Sequence, residues 1–206
     1  MQKYIRAVLS KDRALIVLTI VMMLIAVATI IVIATGIFDP KPLGDLFKSF
    51  PLELQEIDAE DGSLTWLDQP VPAGDFSLRL TGAWLSGEQD IGYGLVIGDP
   101  ESYLVIAVSP LGYLSVWIEA SGNGAPTSEK LVSWRTWPHV GLAQEQNEIW
   151  IDVQDGAIAK VWINRELLNL DTAKIPGLDI GYWLRSYGEA ATVKFDSLEL
   201  YSDGDN

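Results

Sequence analysis

Cysteine is absent and histidine occurs once, at His139. No disulfide, thiolate metal site or lipid-bearing cysteine is therefore available. One histidine excludes a histidine-rich metal centre and gives no basis for a Ser-His-Asp set. Basic residues are also scarce: 14 Lys and Arg stand against 28 Asp and Glu, a formal net charge of −14. A chain so acidic has no cationic footprint for nucleic-acid phosphates, and the charge serves solubility. Beyond residue 52 no helical period of useful length appears.

What is present begins with one apolar run. From Ala14 to Thr35 the sequence carries no charge. As a helix it would span roughly 33 Å, enough to cross a hydrocarbon core of about 30 Å. A signal peptide is the competing reading, with Ala26-Val27-Ala28 as a small-x-small cleavage site. Cutting there would leave an apolar N-terminus, which favours an uncleaved anchor. Lys3, Arg6, Lys11 and Arg13 precede the run against Asp12 alone, whereas Asp39, Lys41, Asp45 and Lys48 after it nearly cancel. Positive residues stay in the cytoplasm, so the N-terminus is expected inside and the rest outside a bacterial cell membrane. The expected partition is 1–13 cytoplasmic, 14–38 transmembrane, 39–51 a stalk with one short helix between Pro40, Pro42, Gly44 and Pro51, and 52–206 an extracytoplasmic β-sandwich.

The outer part reads as strands. Candidates are Phe76–Thr81, Ile91–Ile97, Tyr103–Val108, Tyr113–Glu119, Asn147–Val153, Ile158–Asn164, Leu178–Leu184 and Thr192–Tyr201. Turn residues separate them, among them Gly98-Asp99-Pro100, Gly122-Asn123-Gly124 and Asp155-Gly156. Many short strands at this spacing predict a sandwich or jelly roll. One hairpin registers itself. A three-residue loop Asp155-Gly156-Ala157 sets Ile151 against Val161, Ile149 against Ile163, Trp150 against Trp162 and Asp152 against Lys160. A two-residue loop would mix the faces, and a slip of one residue inverts every side chain.

The stretch Asn147-x-Ile149-x-Ile151-x-Val153-x-x-Gly156-x-Ile158-x-x-Val161-x-Ile163-Asn164 resembles paired strands of concanavalin A-like jelly-roll domains. Its nearest likeness is to laminin-G-like and 3-keto-disaccharide-hydrolase-type modules. Gly92-Tyr93-Gly94-Leu95-Val96 resembles an early core strand of that family, and Phe195-Asp196-Ser197-Leu198 its closing strand. The likeness runs in order from about Asp75 to Tyr201. It implies an antiparallel jelly roll and a function among glycan binding, protein binding, hydrolysis or a structural role; fold does not choose among them. Arg165 departs from the family's usual Asn-Gly, so that turn is expected to differ.

Four groups of residues carry possible chemistry. Glu56-Ile57-Asp58-Ala59-Glu60 resembles the carboxylate signature of laminarinase-type glycoside hydrolases, with Glu56, Asp58 and Glu60 on one strand face. A retaining pair needs carboxylates about 5–5.5 Å apart, yet residues four apart on a strand lie about 13 Å apart. The motif also precedes the sheets rather than lying within one. A solvated acidic segment is the expectation, and catalytic residues are expected to be none. No cofactor is required. Calcium near Asp90, Asp99 or Asp155 is conceivable in a laminin-G-like domain, though no spacing singles one out.

Aromatic residues are the strongest signal, with eight tryptophans. Tyr113, Trp117, Trp150, Trp162 and Trp183, with Arg185, fall on the polar faces of their strands. They are the candidate ligand-binding residues. Such rings stack on sugar C–H groups, dock a partner protein, or simply pack. Trp134 and Trp137, flanking Arg135, would line a site or plug one end of the sandwich, and the plug is the expectation. The function expected is a non-catalytic, membrane-anchored binding domain for a glycan or another envelope protein. The alternatives are an accessory subunit of a membrane complex, whose helix would pack through Ala26, Ala28, Ala34 and Gly36, and a laminarinase-like hydrolase.

Overall fold

The computed structural model describes residues 2–36, 39–69, 71–72, 74–121 and 127–203, with side chains from residue 15 onward. The expected turn Gly122-Asn123-Gly124, the side chains of Lys3, Arg6, Lys11 and Arg13, and residues 37–38 of the expected membrane segment lie outside the described residues. The chain divides into two units, 1–41 and 42–206.

The first unit is one helix, α1 (Gln2–Ala34). Its Leu15–Ala34 segment has mean hydropathy 3.2 and no buried residues, and is long and apolar enough to cross a membrane. Three threonines beyond residue 14 turn their hydroxyls back onto the helix backbone. The Thr19, Thr29 and Thr35 hydroxyls donate to the carbonyls of Leu15, Ile25 and Val32 at 3.0, 2.9 and 2.7 Å. Gly36 ends the helix at φ +65°, where the left-handed conformation costs glycine nothing.

The second unit is an all-β antiparallel jelly-roll sandwich of the lectin-like type. Its strands are β1 (Asp45–Pro51), β2 (Leu54–Ile57), β3 (Gly62–Trp66), β4 (Phe76–Gly87), β5 (Ile91–Gly98), β6 (Ser102–Ser109), β7 (Tyr113–Ala120), β8 (Thr127–Thr136), β9 (Asn147–Gln154), β10 (Ala157–Ile163), β11 (Glu166–Leu168), β12 (Ala173–Lys174), β13 (Asp179–Ser186) and β14 (Ala191–Ser202). Sheet A runs β1-β14-β4-β9-β10-β11, with β2 also on β14 and β12 also on β10. Sheet B runs β3-β13-β5-β6-β7-β8. Alternate residues of both sheets close one core, including Phe76, Leu78, Tyr93, Leu95, Ile106, Ile149, Ile151, Phe195 and Leu198.

All eight candidate strands are present, and the others differ from the reading for identifiable reasons. Residues 45–51, expected within a stalk, are β1, paired with β14 from Asp45↔Ser202 to Pro51↔Ser197. Pro51 is tolerated because β1 is an edge strand. β8 escaped notice because it is bulged: Val116 faces Val132 but Leu114 faces Arg135, so one extra residue breaks the alternation.

The hairpin holds the four pairs that the pattern demanded, Ile151↔Val161, Ile149↔Ile163, Trp150↔Trp162 and Asp152↔Lys160. Its loop is nevertheless not the three-residue one. Ala157 pairs with Gln154 across a two-residue Asp155-Gly156 turn, both residues at positive φ. A register shift between Ile158 and Lys160 then restores the faces. The turn takes the conformation that suits strand twist, and the bulge absorbs the mismatch. Asn164 and Arg165, also both at positive φ, make the next two-residue turn, into β11, so Arg165 occupies a conformation that glycine would adopt freely.

Asn147 and Asn164 anchor this hairpin. Asn147 is buried; its Nδ2 donates to the Tyr93 hydroxyl at 2.9 Å, and its Oδ1 accepts from Gly141 N–H at 2.7 Å and Asn164 Nδ2 at 2.8 Å. Burial pushes the Tyr93 hydroxyl up to about 12, against the hydrogen bond from Asn147.

Candidate functional site

The outward residues of sheet B lie in rows set by register. Trp66, Gly181, Val96, Val105, Trp117 and Lys130 form one row across β3, β13, β5, β6, β7 and β8. The next holds Leu64, Trp183, Gly94, Ala107 and Ser115. The middle of the sheet thus carries glycine, alanine and valine and no ring, and the flanks carry tryptophan. β5 reads Ile91-Gly92-Tyr93-Gly94-Leu95, with large residues facing the core and glycines facing out.

This floor lets the indoles converge. β13 and β7 are three strand spacings apart, about 14 Å at the backbone. Even so, the Trp117 and Trp183 rings meet edge to face with centroids 5.0 Å apart. Trp134 comes in from β8 to 6.3 Å from Trp117. A Cβ placed on Gly92 would lie 2.8 Å from the Trp183 ring and 3.0 Å from that of Trp134. Trp66 packs edge to face on Tyr103 at 5.8 Å. All five rings are half-buried, in contact with Val96, Val105 and Ala107 below and solvent above.

Two cavities open on this surface. One, about 440 Å³, includes Tyr103, Trp117, Glu119, Lys130, Trp183 and Arg185. The other, about 540 Å³, includes Asp90, Ser109, Leu111 and Tyr113. Trp134 and Tyr187 line both. Burial raises the Tyr187 hydroxyl above its ordinary value; the hydrogen bond from the Trp134 indole and the nearby Arg185 guanidinium partly offset this. Burial also raises Tyr103, with Glu119 adding to it. Both phenols stay protonated at neutral pH and offer O–H donors. Each cavity is of the size that takes a small ligand, with aromatic walls and a few polar groups.

The outer face of sheet A also bears tryptophans, but they are sealed. Trp150 and Trp162 are 5% and 9% exposed. Trp150 packs edge to face on Trp162 at 5.8 Å and stacks on Tyr201 at 6.2 Å. Arg79 lies over Trp150, and Lys160 over Trp162. Arg79 is ion-paired to Glu148 and, at 3.6 Å, to Glu199. Asp152 Oδ1 accepts from the Ser77 hydroxyl at 2.6 Å and from the Trp150 indole at 3.2 Å. The charged side chains here, Arg79, Glu148, Glu199 and Asp152, each hold a neighbour.

The six candidate ligand residues therefore separate. Trp117, Trp183 and Arg185 share one cavity, and Tyr113 lies in the adjoining one. Trp150 and Trp162 are on the opposite outer face, buried. The sequence reading favoured a plug for Trp134 over a place in a site, and it missed Tyr187, Tyr103 and Lys130. Trp134 is on a strand and on the open face, whereas Trp137 does pack against the core, as a plug would. The alternation of glycine with large apolar residues in β5 was the available signal.

The acidic motif is not one strand face. β2 ends at Ile57; Glu56 is exposed and pairs with Thr192, Asp58 lies beyond the strand, and Glu60 sits in a turn at φ +57°. The segment carries the chain from sheet A to sheet B. Among the described residues no group of three His, Cys, Asp or Glu is placed to hold a metal ion. Asp99 accepts from the N–H groups of Glu101 and Ser102 and so shapes its own turn, and Asp155 is in the hairpin turn. His139 faces Glu166 at 3.9 Å on the exposed surface.

No protein-family model and no curated protein matches the chain. Solved structures do match its fold. A carbohydrate-binding module, CBM66 from Bacillus subtilis, aligns over 78% of this chain and 99% of its own, at 11% identity and a TM-score of 0.52. The carbohydrate recognition domain of Emp46p aligns over 75% and 89%, at 10% identity and a TM-score of 0.50. At such identity the likeness is one of fold.

Proposed function

We propose that the chain is a membrane-anchored domain that binds a glycan on the outer face of sheet B. One observation carries the reading: three half-exposed indoles, Trp117, Trp134 and Trp183, meet over a floor of glycine, alanine and valine, ringed by polar groups. Sugar C–H groups stack on such rings. The Tyr103 and Tyr187 hydroxyls, Glu119, Lys130 and Arg185 are placed to take ring hydroxyls. The jelly-roll neighbours are themselves a carbohydrate-binding module and a carbohydrate recognition domain, which supports the reading.

In this reading residues 14–38 anchor the chain in the bilayer, 1–13 remain in the cytoplasm, and the domain from residue 42 lies outside. The basic flank before α1 supports the orientation. Because the chain lacks cysteine, Ser10→Cys and Ser128→Cys each introduce a single reporter thiol. An impermeant maleimide added to intact cells should label the second and spare the first.

A glycan array probed with the full chain in nanodiscs tests the ligand. Hits should disappear with Trp117→Ala and Trp183→Ala and survive a conservative change on sheet A, Trp162→Phe. An empty array, with a stoichiometric partner retained in mild detergent, would transfer the face to protein docking.

A further inference from the structure

We infer that the sheet B cavity takes an anionic saccharide, a sugar chain whose carboxylate or sulfate seats between Arg185 and Lys130. The inference rests on the glycan reading and adds the charge of the ligand.

Three cations of sheet A are neutralised. Arg79 is held by Glu148 and Glu199, Lys194 pairs with Asp196 at 2.5 Å, and Lys160 feels Asp152 across the hairpin. Arg185 and Lys130 form no ion pair among the described residues, although the chain has twice as many acidic as basic side chains. Both are exposed and both line the cavity of Trp117 and Trp183. They stand on β13 and β8, at opposite sides of the aromatic floor. The Arg185 guanidinium lies 5.5 Å over the Tyr187 ring, which orients it without spending its charge.

Glu119 is the one carboxylate in the lining of this cavity, so two cations face one anion. Aromatic walls exclude water and strengthen what charge remains. A guanidinium fork matches a carboxylate or sulfate with two parallel hydrogen bonds, and an ammonium adds a point charge. The adjoining cavity has Asp90 and no cation in its lining, so the charged unit belongs on the sheet face and not at the rim.

The test uses the full chain in nanodiscs of zwitterionic lipid and two matched pairs: oligogalacturonate with its methyl ester, and dextran sulfate with dextran. The charged member of at least one pair should bind about tenfold tighter or more at low salt. That advantage should shrink between about 50 and about 500 mM NaCl. Arg185→Gln should remove it, weakening the charged member far more than the neutral one, and Arg185→Lys should restore part. Which pair discriminates separates carboxylate from sulfate. Equal binding within both pairs, or discrimination that survives Arg185→Gln, overturns the inference and leaves the glycan reading standing. No binding to any of the four, with neutral hits on the array, does the same; an empty array as well overturns both.

Discussion

The two outer faces of the sandwich use the same parts to opposite ends. Each sets tryptophans beside a tyrosine and an arginine. On sheet A the cation lies over the indole and is clamped by two carboxylates, so the aromatic patch is closed. On sheet B the floor is glycine, alanine and valine, the rings tilt inward over it, and Arg185 forms no ion pair. Aromatic content alone therefore says little about a binding face. What separates packing from a site is the size of the residues between the rings and the partners of the nearby charges.

Mutation can break or sharpen this contrast. The largest effect is expected on the closed face. Trp150→Ala removes a ring contacting Trp162, Tyr201 and Arg79, and should cost about 3–5 kcal/mol in chemical denaturation of the β-sandwich. Trp183→Ala on the open face should cost less stability, yet about 2 kcal/mol or more of ligand affinity by calorimetry. Equal destabilisation by the two would remove the distinction. Next comes Gly92→Ala. The added methyl displaces the Trp183 and Trp134 rings, because φ permits alanine but the space does not. Tryptophan fluorescence should shift and affinity should fall several-fold, with stability nearly unchanged.

The smallest effect concerns Asp152, whose carboxyl burial pushes above its ordinary value, against hydrogen bonds from Ser77 and Trp150 and the charge of Lys160. A raised carboxyl favours the protonated native state. Its cost to stability is absent below the unfolded value near about 4 and grows as pH rises through the folded value. Asp152→Asn should therefore raise the thermal midpoint at pH 7, with the gain fading as pH falls toward 4.

Much of the fold was legible because period-two hydrophobicity survives burial. β9 and β10 could be registered residue by residue, since a wrong register would put Ile149 and Ile151 in water. The turn between them was not, because a bulge after Ile158 makes a two-residue loop compatible with a pattern that seemed to need three. β1 was hidden by prolines that an edge strand tolerates, and β8 by its bulges. Of the candidate site, Trp117, Trp183, Arg185 and Tyr113 were found from their polar-face positions. Trp150 and Trp162 satisfy the same rule and lie on the other sheet.

The sequence by itself determined the apolar helix, eight of the strands and which side of those strands enters the core, because these depend on neighbours one to four residues away. Which strands join which sheet, which tryptophans stay open to solvent and which cations stand beside them depend on residues far apart in the chain. Those were decided only in the tertiary structure, when β8, β13 and β5 came together over Gly92.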